Sequence, residues 1–240
     1  MWDKPDTLRQ LANALFGISL LLVLYGALHY VLRRPEFSLR AVQLIAAPYR
    51  VDTAKIEAVV RNELRGNFFT VDLESTQHAF ERLPWVRKVS VRRHFPWSLE
   101  VDMEEHVALA KWNEAGLVNT HGEVFMAEAA QVLPKFIGQP GAAAEVTQMY
   151  REFGEQLAPL KQEVTQISLS PRHAWQLRLG NGMVLELGRE QPQQRLARFV
   201  AVYPYSLASM RHPVNYVDLR YHNGFAAYLP GYTPEKKKQG

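Results

Sequence analysis

The sequence predicts an α+β membrane protein: one transmembrane helix, then a small β-α-α-β-β domain, then an antiparallel β domain with covering helices. Three observations carry this. Leu11 to Leu32 contains no Asp, Glu, Lys or Arg. Over 37–105, apolar residues recur first at helical and then at strand spacing. From Val107 onward, short alternating runs are separated by hairpin signals.

The apolar segment comes first. A 22-residue helix reaches about 33 Å, enough for a hydrocarbon core of ~30 Å. A cleaved signal peptide has an apolar stretch of only ~7 to 15 residues ending at a small-x-small site. Here Tyr25, His29 and Tyr30 crowd the place where that site belongs, so an uncleaved anchor is expected. Lys4 and Arg9 precede the span, and Arg33, Arg34 and Arg40 follow it. Taken literally, that arginine excess puts the larger part in the cytoplasm.

Leu39, Val42 and Leu44 start the small domain. Asp52 or Thr53 caps a helix with Ile56, Val59, Val60 and Leu64 on one face, and Gly66 is placed to end it. Asp72 caps a second helix carrying Leu73, Thr76, Phe80 and Leu83, which Pro84 stops. Val89 and Val91 alternate with Lys88, Ser90 and Arg92; Leu99, Val101 and Met103 alternate with Glu100, Asp102 and Glu104. Each run is a strand with one buried face, turning at Phe95-Pro96-Trp97. The basic run Arg87, Lys88, Arg92, Arg93 reads as a solvated strand face.

In the larger domain, hairpins are expected at Glu114 to Gly116, His121-Gly122 and Asn181-Gly182. Val146, Met149, Tyr150, Phe153 and Leu157 share one helix face, and Leu196, Phe199, Val200 and Tyr203 another, which Pro192 opens. The last strands are Tyr216 to Tyr221 and Phe225 to Leu229, with 230–240 a disordered tail.

Charge and motifs then exclude several functions. Residues 1–10 carry two bases and two acids, 33–105 twelve and eleven, and 106–240 fourteen and eleven, with Lys236 to Lys238 supplying the last surplus. A nucleic-acid binder concentrates base on a folded face, so nucleic acid is rejected. The absence of cysteine excludes thiol chemistry and cysteine-ligated metals. No G-x-S-x-G, H-E-x-x-H, phosphate loop or S-x-x-K occurs, and His106 and His121 each stand alone. Glu104 and Glu105 point to opposite strand faces and make no acid-base pair. An enzyme, a cofactor and a small-molecule substrate are not expected.

The order of short motifs resembles one family. Asn67-Phe68-Phe69 with Val71-Asp72, Leu83-Pro84-Trp85-Val86, Phe95-Pro96-Trp97-Ser98-Leu99, Gly122-Glu123-Val124-Phe125, Leu187-Gly188-Arg189 and Tyr216-Val217-Asp218-Leu219-Arg220-Tyr221 follow one another as in the bacterial division family FtsQ/DivIB. The resemblance implies cytoplasmic residues 1–10, a span at 11–32, a POTRA domain at 33–105 and a family-specific β domain at 106–229. It implies an inner-membrane location enriched at the septum, with a periplasmic carboxyl-terminal part, against the literal arginine count. It also implies a non-enzymatic divisome scaffold that binds FtsB and FtsL and links FtsK to FtsW and FtsI.

By the same resemblance, Arg220, Tyr221, Asn223, Gly224, Phe225, Ala226 and Tyr228 contact FtsB, and Arg172 meets an acidic FtsB residue. An edge strand there could accept a partner strand through its free backbone groups. Val217 and Leu219 read instead as core. Two departures from the pattern stand out: Ala46 and Ala47 replace the usual glycine after the first strand, and Glu105-His106-Val107-Ala108 replaces E-x-x-P. The competing interpretation is a periplasmic POTRA-type chaperone for extended peptides. An outer-membrane assembly protein would require a long series of barrel strands, which this chain lacks.

Overall fold

A computed structural model describes residues 5–114, 116–208, 210 and 213–230. The tail expected at 230–240 falls, beyond Pro230, outside the described residues. Contacts divide the chain into two units, Met1–Glu105 and His106–Gly240.

The first unit opens with helix α1 (Pro5–Leu32). Its stretch Arg9–Leu32 has a mean hydropathy of 2.1 and none of it is buried by protein, so it is long and apolar enough to cross a bilayer. Then come β1 (Ala41–Leu44), α2 (Thr53–Glu63), α3 (Leu73–Glu81), β2 (Val86–His94) and β3 (Ser98–Glu105). This is the order the periodicity predicts. Strand β3 lies in the middle, parallel to β1 and antiparallel to β2. Ile56, Phe80, Val89, Val91, Leu99 and Val101 form a core between the sheet and the two helices.

The caps are as expected. Asp52 Oδ1 accepts from Ala54 N–H at 2.9 Å. Asp72 Oδ1 accepts from Glu74 N–H at 3.0 Å and from Ser75 N–H at 3.2 Å, satisfying donors that the first helical turn leaves open. Gly66 differs from expectation. Helix α2 already ends at Glu63, with Leu64 extended. Gly66, at φ +107°, shapes the following turn, where a Cβ would stand 2.9 Å from Thr70 Oγ1.

Two charged side chains hold backbone segments in place. Arg93 donates to the carbonyls of Phe68 and Val71, each at 2.8 Å, so its place in a free basic face is corrected: the connector after α2 presents carbonyls that need donors. Glu105, at the end of β3, accepts from the N–H groups of Tyr49, Arg50 and Val51 at 2.9–3.1 Å. That carboxylate holds the turn where Ala46 and Ala47 replace glycine. Arg50 also lies over the Trp85 ring, 4.4 Å from its centre.

The second unit contains β4 (Ala108–Trp112), β5 (Gly116–Asn119), β6 (Val124–Phe125), β7 (Lys135–Ile137), α4 (Ala143–Leu157), β8 (Val164–Leu169), β9 (Trp175–Leu179), β10 (Val184–Gly188), α5 (Pro192–Val202), β11 (Tyr216–Asp218) and β12 (Ala226–Tyr228). They form a nine-stranded sheet in the order β12-β11-β10-β9-β8-β7-β4-β5-β6. The predicted hairpins β4–β5, β5–β6 and β9–β10 are all antiparallel.

The sheet as a whole is not antiparallel. The pairs β4·β7, β7·β8 and β10·β11 are parallel, so the expectation is corrected to a mixed sheet within the same α+β class. The helices are the reason for two of these pairs: α4 returns the chain from the end of β7 to the start of β8, and α5 does so from β10 to β11. A helical crossover between neighbouring strands makes them parallel. Leu157, Phe153, Leu196 and Phe199 are buried with Ile167, Leu177, Leu185 and Val217 in one core. His106 belongs to packing, stacked on Phe125 at 4.0 Å with Nδ1 2.9 Å from the Asn119 amide.

Candidate partner-binding edge

The register places β12 in detail. Ile167 faces Leu177, Leu177 faces Leu185, Leu185 faces Val217 and Val217 faces Ala227, giving one cross-strand row toward the core. The row on one side of it runs Ser168, Gln176, Glu186, Asp218 and Ala226, and the row on its other side ends in the pair Tyr216–Tyr228. Alternation therefore puts Ala226 and Tyr228 on the polar face. Both are exposed, Tyr228 at 63%. Beyond β12 there is no further strand among the described residues, so its outer backbone groups lack a sheet partner.

Leading into this strand, Tyr221 (57% exposed) and Asn223 lie in an exposed backbone bend that exposed Gly224 follows, so the two terminal strands are shorter than the spans 216–221 and 225–229 expected. Phe225 turns inward, with its ring 5.9 Å from Phe199 of α5 and nearly perpendicular to it. Between α5 and this segment runs a groove of about 500 Å³ lined by Arg198, Phe199, Val202, Leu219, Asn223 and Phe225. Arg198 donates to the His222 carbonyl and ties the bend to the helix. Val217 and Leu219 are buried, as the alternation predicts.

Arg220 is committed to Asp218. Its Nη2 lies 2.7 Å from Oδ2 and its Nε 2.9 Å from Oδ1, and its own N–H donates to Oδ1 at 3.0 Å. The donated hydrogen bonds hold the Asp218 carboxyl below the usual carboxylate range and push the guanidinium further up. Burial, together with Asp218 and Glu186, pushes the Tyr216 phenol up.

Gly188 makes this arrangement fit. It sits at φ +71°, and a Cβ there would come within 2.8 Å of Arg195 Nη1 and 3.0 Å of Arg220 Cγ. Arg195 in turn donates to the Leu187 carbonyl at 2.7 Å. Asp218 lies in the polar-face row with Glu186 and Ala226 yet is only 8% exposed, because Arg220 covers it. The signal available in the sequence was the glycine of Leu187-Gly188-Arg189 together with Asp218 and Arg220 of the V-D-L-R-Y motif; Arg195, the other arginine at Gly188, lies in neither.

Arg172 stands apart. It is exposed in the β8–β9 turn and has no ion pair among the described residues. The turn lies at the same end of the sheet as Arg220 to Phe225, because Trp175 pairs with Gly188 and Glu186 with Asp218. From β9 to β12 is three strand spacings, about 14 Å at ~4.8 Å each. A segment that only extends the sheet at β12 does not reach Arg172; the same chain must also cross the sheet end.

A helix apolar enough to cross a bilayer, a β-α-α-β-β domain and a mixed nine-stranded sheet define the class: a membrane-anchored α+β protein of two domains. The family models agree: residues 37–106 match "POTRA domain, FtsQ-type" and residues 110–220 match "Cell division protein FtsQ/DivIB, C-terminal". The chain is 41% identical to the cell division protein FtsQ of Nitrosospira multiformis over 232 residues, covering 95% of this chain and 98% of the relative. It is 30% identical to FtsQ of Neisseria gonorrhoeae over the full length of both chains, and 38% identical to FtsQ of Escherichia coli K12 over 72% of this chain and 66% of that one. The chain belongs to the FtsQ/DivIB family of cell division proteins. With one helix among the described residues long and apolar enough to cross a bilayer, it fits a single-pass membrane protein of that family.

Proposed function

We propose that this protein is a non-enzymatic scaffold of the divisome that captures FtsB, together with FtsL, at the free edge of β12. The observation that carries this reading is the edge itself: an unpaired terminal strand whose outward side chains, Ala226 and Tyr228, are exposed beside Tyr221. Backbone hydrogen bonds along β12 supply affinity, and a tyrosine at alternate positions supplies selectivity. A following FtsB segment crosses the sheet end and offers a carboxylate to Arg172, whose planar fork suits bidentate pairing. Asn223 and Gly224 leave the approach unobstructed, while Arg220 shapes the bend through Asp218 and Phe225 seats it on α5.

In this reading the domains after α1 are periplasmic, the protein gathers at the septum of the inner membrane, and it links FtsK to FtsW and FtsI. Titrating the full chain in detergent with the periplasmic segment of FtsB tests the reading. Saturable binding that weakens at least tenfold in folded Tyr228→Ala and in Arg172→Ala supports it. Equal binding of unrelated extended peptides would favour a general chaperone instead.

A further inference from the structure

We propose that the loop end of the POTRA domain, through Phe69, Phe95 and Trp97, docks onto the lipid headgroup region of the leaflet from which α1 emerges. The apolar span ends at Leu32, and Asn67 reaches that end directly: its Nδ2 donates to the Leu32 carbonyl at 2.6 Å and to the Arg34 carbonyl at 3.3 Å. The Asn67 Oδ1 accepts from the N–H groups of Phe69 and Thr70, so one buried amide joins the helix exit to the connector after α2. Phe68 N–H donates to the Phe37 carbonyl at 2.9 Å, and Arg40 N–H to the Trp97 carbonyl at 2.8 Å. The β2–β3 turn is thereby drawn to the same place.

The aromatic rings there form one cluster. Trp97 lies within 6.0 Å of Phe37, Phe68, Phe69 and Phe95, yet Phe95 remains 75% exposed and Phe69 44%. A headgroup layer is only about 5–8 Å thick on each side of the hydrocarbon, so rings held this close to the last turn of the span fall within it. Trp favours that layer, where its ring and its N–H are both accommodated, and exposed Phe rings gain by burying apolar area at the headgroup boundary.

Charge agrees with this. Segments 33–40 and 92–97 carry Arg33, Arg34, Arg40 and Arg92, besides Arg93, whose guanidinium the connector holds, against one acid, Glu36, which suits anionic lipid. Headgroup contact also accounts for arginines after the span that conflict with its expected orientation.

The chain has no cysteine, so single nitroxide labels can be placed in the full-length protein in nanodiscs containing phosphatidylglycerol. One label replaces exposed His94, beside the turn and paired with Ser98. The reference replaces Tyr49, which is 89% exposed and bonded to Glu105 at the far end of β3. Seven residues of extended strand separate Ser98 from Glu105, about 23 Å at ~3.3 Å per residue. The ratio of oxygen to nickel-chelate accessibility is expected to be several-fold higher at position 94 than at 49. It should fall to the reference level in Phe69→Ser/Phe95→Ser, with folding checked by circular dichroism; Phe95→Ser alone gives the same test with one exposed ring removed. Equal ratios at 94 and 49 would overturn the proposal. So would a high ratio unchanged by the substitutions, since the tether alone would then explain it.

Discussion

Asp218 and Arg220 grip each other two residues apart, with Nη2 2.7 Å from Oδ2 and Nε 2.9 Å from Oδ1, at the point where β11 ends and the chain bends toward β12. The pair fixes the bend that presents the edge strand, so its loss is expected to act on the strand before it acts on the core.

Acid should reveal this pair. The Asp218 carboxyl titrates below its ordinary range because Arg220 donates to it. Its stabilising contribution is therefore complete above an unfolded pKa of about 3.9 and disappears as pH falls through the folded value. Wild type should exceed Asp218→Asn in urea midpoint at about pH 5 to 7, and the difference should shrink below about pH 4. A constant difference across the whole acid range would contradict the assignment.

Gly188→Ala brings a Cβ against Arg195 and Arg220 at a residue that sits at φ +71°. It should destabilise the β domain by about 1–3 kcal/mol. Chemical denaturation checks the size. Amide exchange checks the place, with Arg220 to Tyr228 losing protection first.

Phe225→Ala and Tyr221→Ala should separate packing from binding. The Phe225 ring leans on Phe199 and is half buried. Its removal should cost about 2 kcal/mol, less than a fully buried aromatic truncation. Tyr221 stands at an exposed bend. Its replacement by Ala should change stability by less than about 0.5 kcal/mol. Thermal melts of both variants, followed by FtsB titration, decide which residue affects which property.

In the POTRA domain, Glu105→Ala leaves the N–H groups of Tyr49, Arg50 and Val51 without their acceptor. The cost should be about 1–3 kcal/mol. Glu104→Ala removes only a half-exposed partner of Arg87. That change should cost no more than about 1 kcal/mol. Similar losses for these neighbours would mean that the carboxylate does not hold the turn.

Spacing alone determined the apolar span, the β-α-α-β-β order, the cap Asp72, the choice of Asp52 or Thr53 for the other cap, the three hairpins and the buried faces of α4 and α5. These follow from period-2 and period-3.6 repetition and from local capping, which act over a few residues. Tertiary structure decided what depends on contacts across dozens of residues. It set the parallel pairs that α4 and α5 create, the Glu105 grip on residues 49–51, Arg93 on the α2–α3 connector and Asn67 on Leu32. At the edge, the sequence resemblance named Arg172 with Arg220, Tyr221, Asn223, Gly224, Phe225, Ala226 and Tyr228 as one set. The fold separated them into an open strand, a bend seated on α5 and an arginine three strands away. Strand order and crossover geometry are properties of the whole sheet and leave no mark on local spacing.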